Sequence, residues 1–309
     1  MIDFMRYKTI YFLLSAIVIL PGVFSLLVWG LKPSIDFTGG AIWELQYTIG
    51  EPEVTKEDLQ KILDEKEVET ISIEGKPEEH FVIRLKPIDE VKKEELALAL
   101  RGNFKEFTDL RYELVGPTLG RELLIKTITG VILAAALILL YTAYRFKEKM
   151  YGVCAILAMF HDTLILLGSF SLLGHFFAVE VDTLTVTAVL TVLSFSVHDT
   201  IVVYDRIRES IKSASGGKSA KSASGGKGGL EADFTKLVNK AVNETLTRSF
   251  NNSLTIIFML LALALLGGTT IRWFVVALLI GTITGTYSST FTAAPLLVVF
   301  HNLTKKRSK

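Results

Sequence analysis

The chain has 309 residues, half of them hydrophobic, and its 33 Lys and Arg nearly balance 32 Asp and Glu, for a formal charge of +1. A soluble all-helical protein of this length would rarely be so apolar, so that class is excluded. One cysteine, Cys154, excludes a disulfide framework, and any soluble part must hold together by burial.

Thr9 to Trp29 forms the first long apolar run. About 20 helical residues rising about 1.5 Å each cover a hydrocarbon layer of about 30 Å, so the run can cross a bilayer. It exceeds a signal-peptide core and lacks a small-residue cleavage site, which makes residues 1–31 a retained span with a short cytoplasmic N-terminus. Residues 32–122 are the large soluble segment. Ala41 to Tyr47 reads as a strand. Thr55 to Glu65 reads as a helix with Thr55 as N-cap and Asp58 three residues on. Val68 to Glu74 and His80 to Lys86 alternate as a hairpin, Asp89 to Asn103 is helical, and Asp109 to Val115 is a last strand. The order β-α-β-β-α-β predicts a small α+β ferredoxin-like sandwich, a fold that by itself names no function.

Residues 123–205 contain the second to fourth spans, at Ile125 to Tyr144, Tyr151 to Gly174 and Leu184 to Tyr204. Residues 206–247 form a loop in which KSASGGK occurs twice, at Lys212 to Lys218 and Lys221 to Lys227. This is a flexible linker, because Gly, Ser and Lys cannot bury a core. Gly217-Lys218-Ser219 lacks the leading glycine and preceding strand of a phosphate-binding loop, so nucleotide binding there is rejected. Residues 248–301 carry the fifth and sixth spans, at Ser253 to Gly267 and Trp273 to His301, and 302–309 are a basic tail. No nucleophile context and no cysteine-based metal spacing is present, so neither an enzyme nor a cofactor is expected.

Residues 33–120 hold 20 acidic and 11 basic side chains, and the remaining residues 12 acidic and 22 basic. Lys and Arg favour short cytoplasmic loops. They cluster at Arg6 and Lys8, Arg145 to Lys149, Arg206 to Lys240 and Lys305 to Lys309, which predicts cytoplasmic termini and an extracytoplasmic acidic domain. Because these cations flank spans, anionic lipid headgroups or a neighbouring cytoplasmic machine are the expected partners and nucleic acid is not.

Ionisable groups at membrane depth are costly and mark ion or proton paths. The tripeptide HDT occurs twice, at His161 to Thr163 in the third span and His198 to Thr200 in the fourth. A carboxyl group among hydrocarbon can take up and release a proton near neutral pH. Asp199 is the principal candidate. Asp162 reads equally as a carrier or as a buried carboxyl bonded to neighbouring helices, and the two imidazoles as relay members or simple bridges. Arg248, where the fifth span begins, can pair with Asp199 if the two helices are antiparallel neighbours, or it can snorkel or pair with Glu244. Asn243, Asn251 and Asn252 lie at the same level and can hold water. Gly281 and Gly285, followed by Ser288 and Ser289, mark a close-packing face.

DFTGG at Asp36 to Gly40, GPTLGREL at Gly116 to Leu123 and HDTIVVYDRIRE at His198 to Glu209 resemble the SecF family of protein-export membrane proteins. ETLTRS at Glu244 to Ser249, LGGTTIRWF at Leu266 to Phe274 and GTYSSTFTAAPLL at Gly285 to Leu297 extend the resemblance through the last span. It implies a polytopic six-helix membrane protein similar to half of an RND transporter, with a small ferredoxin-like domain between helices 1 and 2. It further implies a SecD-like partner, a SecYEG-type translocon, a translocating polypeptide as cargo and protons as the driving species. The family's intramembrane acid and base fall on Asp199 and Arg248. His198 stands where the family has Asn, and residues 211–230 also depart from its pattern. Asp36, Phe37, Thr38, Gly39 and Gly40, with Gly116, Pro117 and Gly120, are the expected hinges to the external domain. A cation/proton antiporter with the HDT motifs as ligands, and a purely structural subunit, remain alternatives.

Overall fold

The structure, a computed structural model, describes residues 2–47, 54–76, 80–104, 107–146, 148–214 and 229–307. Most of the two KSASGGK repeats and the last two residues of the basic tail lie outside the described residues. The chain divides into two compact units, one of residues 33–129 and one of residues 1–32 with 130–309.

The smaller unit begins with one helical turn, α2 (Ile35–Thr38), and continues as β1 (Gly40–Tyr47), α3 (Lys56–Glu65), β2 (Thr70–Lys76), β3 (His80–Leu85), α4 (Glu90–Asn103) and β4 (Phe107–Val115). The four strands form one antiparallel sheet in the order β2-β3-β1-β4. β1 is buried throughout Gly40 to Trp43 and alternates between buried and half-buried residues from there to Tyr47. Ala41, Trp43, Leu45 and Tyr47 pack against Leu59 and Leu63 of α3 and Leu96 and Leu100 of α4. Both helices start where their caps dictate. Thr55 and Asp58 close a reciprocal capping box on α3, and the Asp89 carboxylate accepts from the Lys92 amide at 2.8 Å on α4. The fold is the ferredoxin-like sandwich expected from the strand and helix order.

The larger unit carries the long apolar helices: α1 (Lys8–Val28), α5 (Pro117–Arg145, which starts in the smaller unit), α6 (Lys149–Phe177), α7 (Thr183–Ala214), α8 (Gly229–Leu266) and α9 (Arg272–Ser288). A π-helical turn, Ser289–Ala293, connects α9 to α10 (Ala294–Arg307), and together they make the sixth span. The described residues thus contain six helices long and apolar enough to cross a membrane. α8 starts well before the apolar run at Ser253, because its first half is an amphipathic extension whose Val238, Ala241 and Val242 are fully buried. Asn239 and Asn243 on that extension grip the chain start. The Asn239 side chain accepts from the Phe4 amide at 2.8 Å and donates to the Ile2 carbonyl at 2.9 Å, and Asn243 donates to the same carbonyl at 2.8 Å. Asn243 thereby binds the backbone of the chain start.

Small residues set the helix contacts, as expected in lipid where close backbone packing replaces hydrophobic driving force. Gly22 of α1 meets Gly168 of α6 so closely that a Cβ on Gly168 would sit 2.6 Å from the Gly22 Cα. One turn further, Ser25 and Ser171 share a 2.6 Å hydrogen bond. Gly281 abuts Val192, and Gly285 lies against Phe195 and Ser196, so the G-x-x-x-G face of α9 packs on α7 just before Asp199.

Candidate proton-relay site and its neighbouring cavity

Asp199 sits on the inner face of α7, 6% exposed, and its Oδ2 has no hydrogen-bond partner among the described residues. The hydroxyl of the next residue, Thr200, is likewise buried and unpartnered, as is that of Thr292 in the π-helical turn. A buried polar atom without a partner costs about 1–3 kcal/mol. With Asn302 Oδ1 they make four such oxygens in the larger unit among the described residues, and Asp199 supplies the one that belongs to an ionisable group. Its neighbour His198, about 100° further round the helix, is exposed on the outer surface of the unit.

Asp162 is 1% exposed and its environment is the reverse. Its Oδ2 accepts from Ser196 Oγ of α7 at 2.5 Å and from Ser288 Oγ of α9 at 2.6 Å, while its Oδ1 lies 2.8 Å from His161 Nδ1. His161 Nε2 continues to Ser15 Oγ of α1 at 2.9 Å. One carboxylate thus ties α1, α6, α7 and α9. The sequence marked Asp162 and His161 but not Ser15 or Ser196. Their only signal was a hydroxyl at helical spacing within an apolar span, and Ser288 stood out merely as part of a packing face.

Arg248 does not form the expected ion pair with Asp199. Its side chain is exposed on α8 and lines a cavity of about 460 Å³ with Val202, Asp205, Arg206, Glu209, Glu244 and Thr245. The cause is electrostatic and geometric: an arginine keeps its head in a polar space while its stem lies on apolar surface, and here the polar space holds three acids. Pairing of Arg248 with Glu244 is not formed either, because Arg206 takes that carboxylate through Nε at 2.8 Å and Nη2 at 2.7 Å. Asp205 pairs with Arg145 of α5 and, at 3.7 Å, with Arg208. Val202, on the wall shared with Arg248, is three residues beyond Asp199, so the cavity begins about one helical turn from the buried acid. Among the described residues no group of three or more His, Cys, Asp or Glu gathers as a metal would need.

The two glycine motifs expected to act as hinges come together in the smaller unit. Gly39 and Gly40 adopt φ of 72° and 135°, which L side chains rarely adopt. A Cβ on Gly39 would lie 2.9 Å from the Pro117 Cα, and one on Gly120 would lie 2.8 Å from the Gly39 amide nitrogen. DFTGG and GPTLG are therefore in backbone contact at the start of α5.

Residues 95–303 match the family model described as protein export membrane protein SecD/SecF, C-terminal. The chain belongs to the SecD/SecF family. It is 41% identical over 318 residues to the protein translocase subunit SecF of Thermobaculum terrenum, covering 98% of this chain and 95% of that one. It is 35% identical to the translocase subunit SecDF of Thermus thermophilus over 97% of its own length but only 38% of the relative's. The crystal structure of SecDF from Thermus thermophilus, described as a translocon-associated membrane protein, superimposes with a TM-score of 0.79 at 34% identity, and this chain spans 39% of its length. SecD/SecF membership accounts for the six-helix architecture and the attached ferredoxin-like unit. The family's named members are protein translocase subunits.

Proposed function

We propose that this chain acts as the SecF-like subunit of a protein-export machine in the cytoplasmic membrane, with both termini cytoplasmic and residues 32–122 outside. It works beside a SecD-like subunit and a SecYEG-type translocon, and its basic loops rest on anionic lipid. Apart from proton exchange, it makes and breaks no covalent bond. It uses the proton gradient to draw a translocating polypeptide outward.

The observation that carries this reading is the unpartnered, buried carboxylate oxygen of Asp199, one turn from a cavity that exposes Arg248. When Asp199 is neutral the two stay apart, as they are here. When it loses its proton, Arg248 swings up from the acids of the cavity and pairs with it, since a buried charge is tolerable only when matched. Asp162 and His198 flank the relay, the first buried in the bundle and the second exposed beside Asp199. Movement of α8 relative to α7 then passes to the external domain through the Gly39–Pro117–Gly120 contact, with Asp36, Phe37, Thr38, Gly40 and Gly116 shaping the hinge. One charge crossing 100 mV supplies about 2.3 kcal/mol, the scale of a few intramembrane contacts.

The test is gradient-stimulated secretion in membrane vesicles containing the chain and a SecD-like partner. Asp199→Asn should insert normally and lose the stimulation. Normal stimulation in that variant would refute the relay.

A further inference from the structure

Asp162 and Asp199 share the bundle interior, yet their surroundings assign them different work. Every group on the Asp162 carboxylate can donate a proton: two serine hydroxyls at 2.5 and 2.6 Å and the imidazole Nδ1 at 2.8 Å. With Nδ1 donating, His161 Nε2 accepts from Ser15 Oγ at 2.9 Å, and each member of the network is satisfied. Asp199 Oδ2 has no such partner among the described residues. One acid is saturated with donors and the other is open.

The saturated acid also fixes the open one in space. Ser196 lies three residues before Asp199 on α7, on the same face. Tyr204, five residues after it and fully buried, donates its hydroxyl to the Ala293 carbonyl at 2.9 Å, where the π-helical turn ends. Ser288, the other hydroxyl on Asp162, is the residue before that turn. Positions 196 and 204 are about 12 Å apart along the helix, so α7 is fastened to α9 and its continuation just above and just below Asp199. π-helical turns expose backbone groups and mark functional points in helices.

From this arrangement we infer that Asp162, with Ser196 and Ser288, is a positioning unit of the relay: a fixed hydrogen-bond acceptor that holds the Asp199 segment of α7 in place and does not itself trade a proton. This rests on the relay reading of Asp199. An amide can stand in for such an acceptor. In D162N the side-chain carbonyl would accept from both serines, and the amide nitrogen would donate to His161 in the other tautomer. That substitution keeps the hub without the charge.

The experiment compares D162N, D162A, the double variant S196A/S288A and D199N in vesicles with the SecD-like partner, reading gradient-stimulated translocation of a secretory precursor per inserted molecule. D162N should retain at least about a third of wild-type stimulation, since neutral hydrogen bonds replace charge-assisted ones. D162A and S196A/S288A should lose about tenfold or more while remaining inserted, because hydrogen bonds to the buried carboxylate are removed. If D162A fails to insert, the serine pair decides. D162N falling as low as D199N would overturn the inference and leave the relay standing, with Asp162 as a second carrier. S196A/S288A keeping full stimulation per molecule, at normal or reduced amounts in the membrane, would also overturn it by reducing the hub to packing. Stimulation surviving in D199N would instead remove the relay on which the inference rests.

Discussion

Arg248 carries a permanent charge beside a polar cavity while Asp199, one turn up the neighbouring helix, has an oxygen bonded to nothing described. If the two act as one switch, removing either removes the switch. R248Q and D199N should each lower gradient-stimulated secretion by about tenfold or more, and the double variant should be no worse than either alone, because effects within a unit do not add. Multiplied losses in the double variant would show two independent roles. A second single-residue device can be read by pH. The Thr55 hydroxyl, at 2.6 Å, and the Thr55 amide, at 3.2 Å, both donate to the Asp58 carboxylate and hold its carboxyl below the usual range. A depressed folded-state value means that the stabilisation is complete above the unfolded value, near pH 4, and is lost as pH falls through the folded one. Amide-exchange protection of α3 in the full chain should therefore drop in acid. T55A should lower it about fivefold at pH 7 and flatten its acid dependence. An unchanged acid response in T55A would show that the cap is not its source.

At the scale of elements, α1 and α6 meet backbone to backbone, where Gly22 touches Gly168 and Ser25 bonds to Ser171. In a C154A background, S25C/S171C should cross-link readily under mild oxidation. Adding G168V should abolish the product, because a branched side chain there must push the helices apart. Cross-linking undiminished by G168V would mean that this contact is not the one the chain uses. That contact was invisible in the sequence, which marked Gly281 and Gly285 by their spacing but gave no reason to pair Gly22 with Gly168 from another helix. The elements themselves were legible. Alternation gave the β2–β3 hairpin, the Thr55 cap gave the start of α3, and hydropathy gave the spans, each being a local property of a few residues. α8 was legible only in its second half, since the amphipathic first half falls below any membrane threshold and is recognised by what packs on it. The site divides the same way: Asp199, Asp162 and Arg248 stand out because charge is rare in apolar runs, whereas the serine donors are ordinary residues until the helices assemble around a carboxylate.

For the whole molecule the governing quantity is where charge lies, not how much there is. Residues 33–120 carry a net −9 and the rest +10, and the basic excess is concentrated in short segments flanking spans. Translocation of such segments is resisted both by the membrane potential and by attraction to anionic cytoplasmic lipid, at about 1 kcal/mol per cation near the surface. The acidic segment meets neither barrier. The placing of Lys and Arg beside the spans is thus what argues for the proposed sidedness, which is open to direct reading on lysines exposed within their own units. Lys56, Lys61 and Lys86 belong to the acidic unit, and Lys236 and Lys240 to the amphipathic half of α8. A membrane-impermeant amine reagent applied to sealed right-side-out vesicles should modify the first three before any permeabilisation and the last two only after it. Peptide mass analysis resolves the two sets. Early modification of Lys236 and Lys240 with Lys56, Lys61 and Lys86 protected would invert the topology and place the Arg248 cavity on the outer side. A proton arriving from outside would then meet that cavity before the acid, and the proposed stroke would have to run the other way.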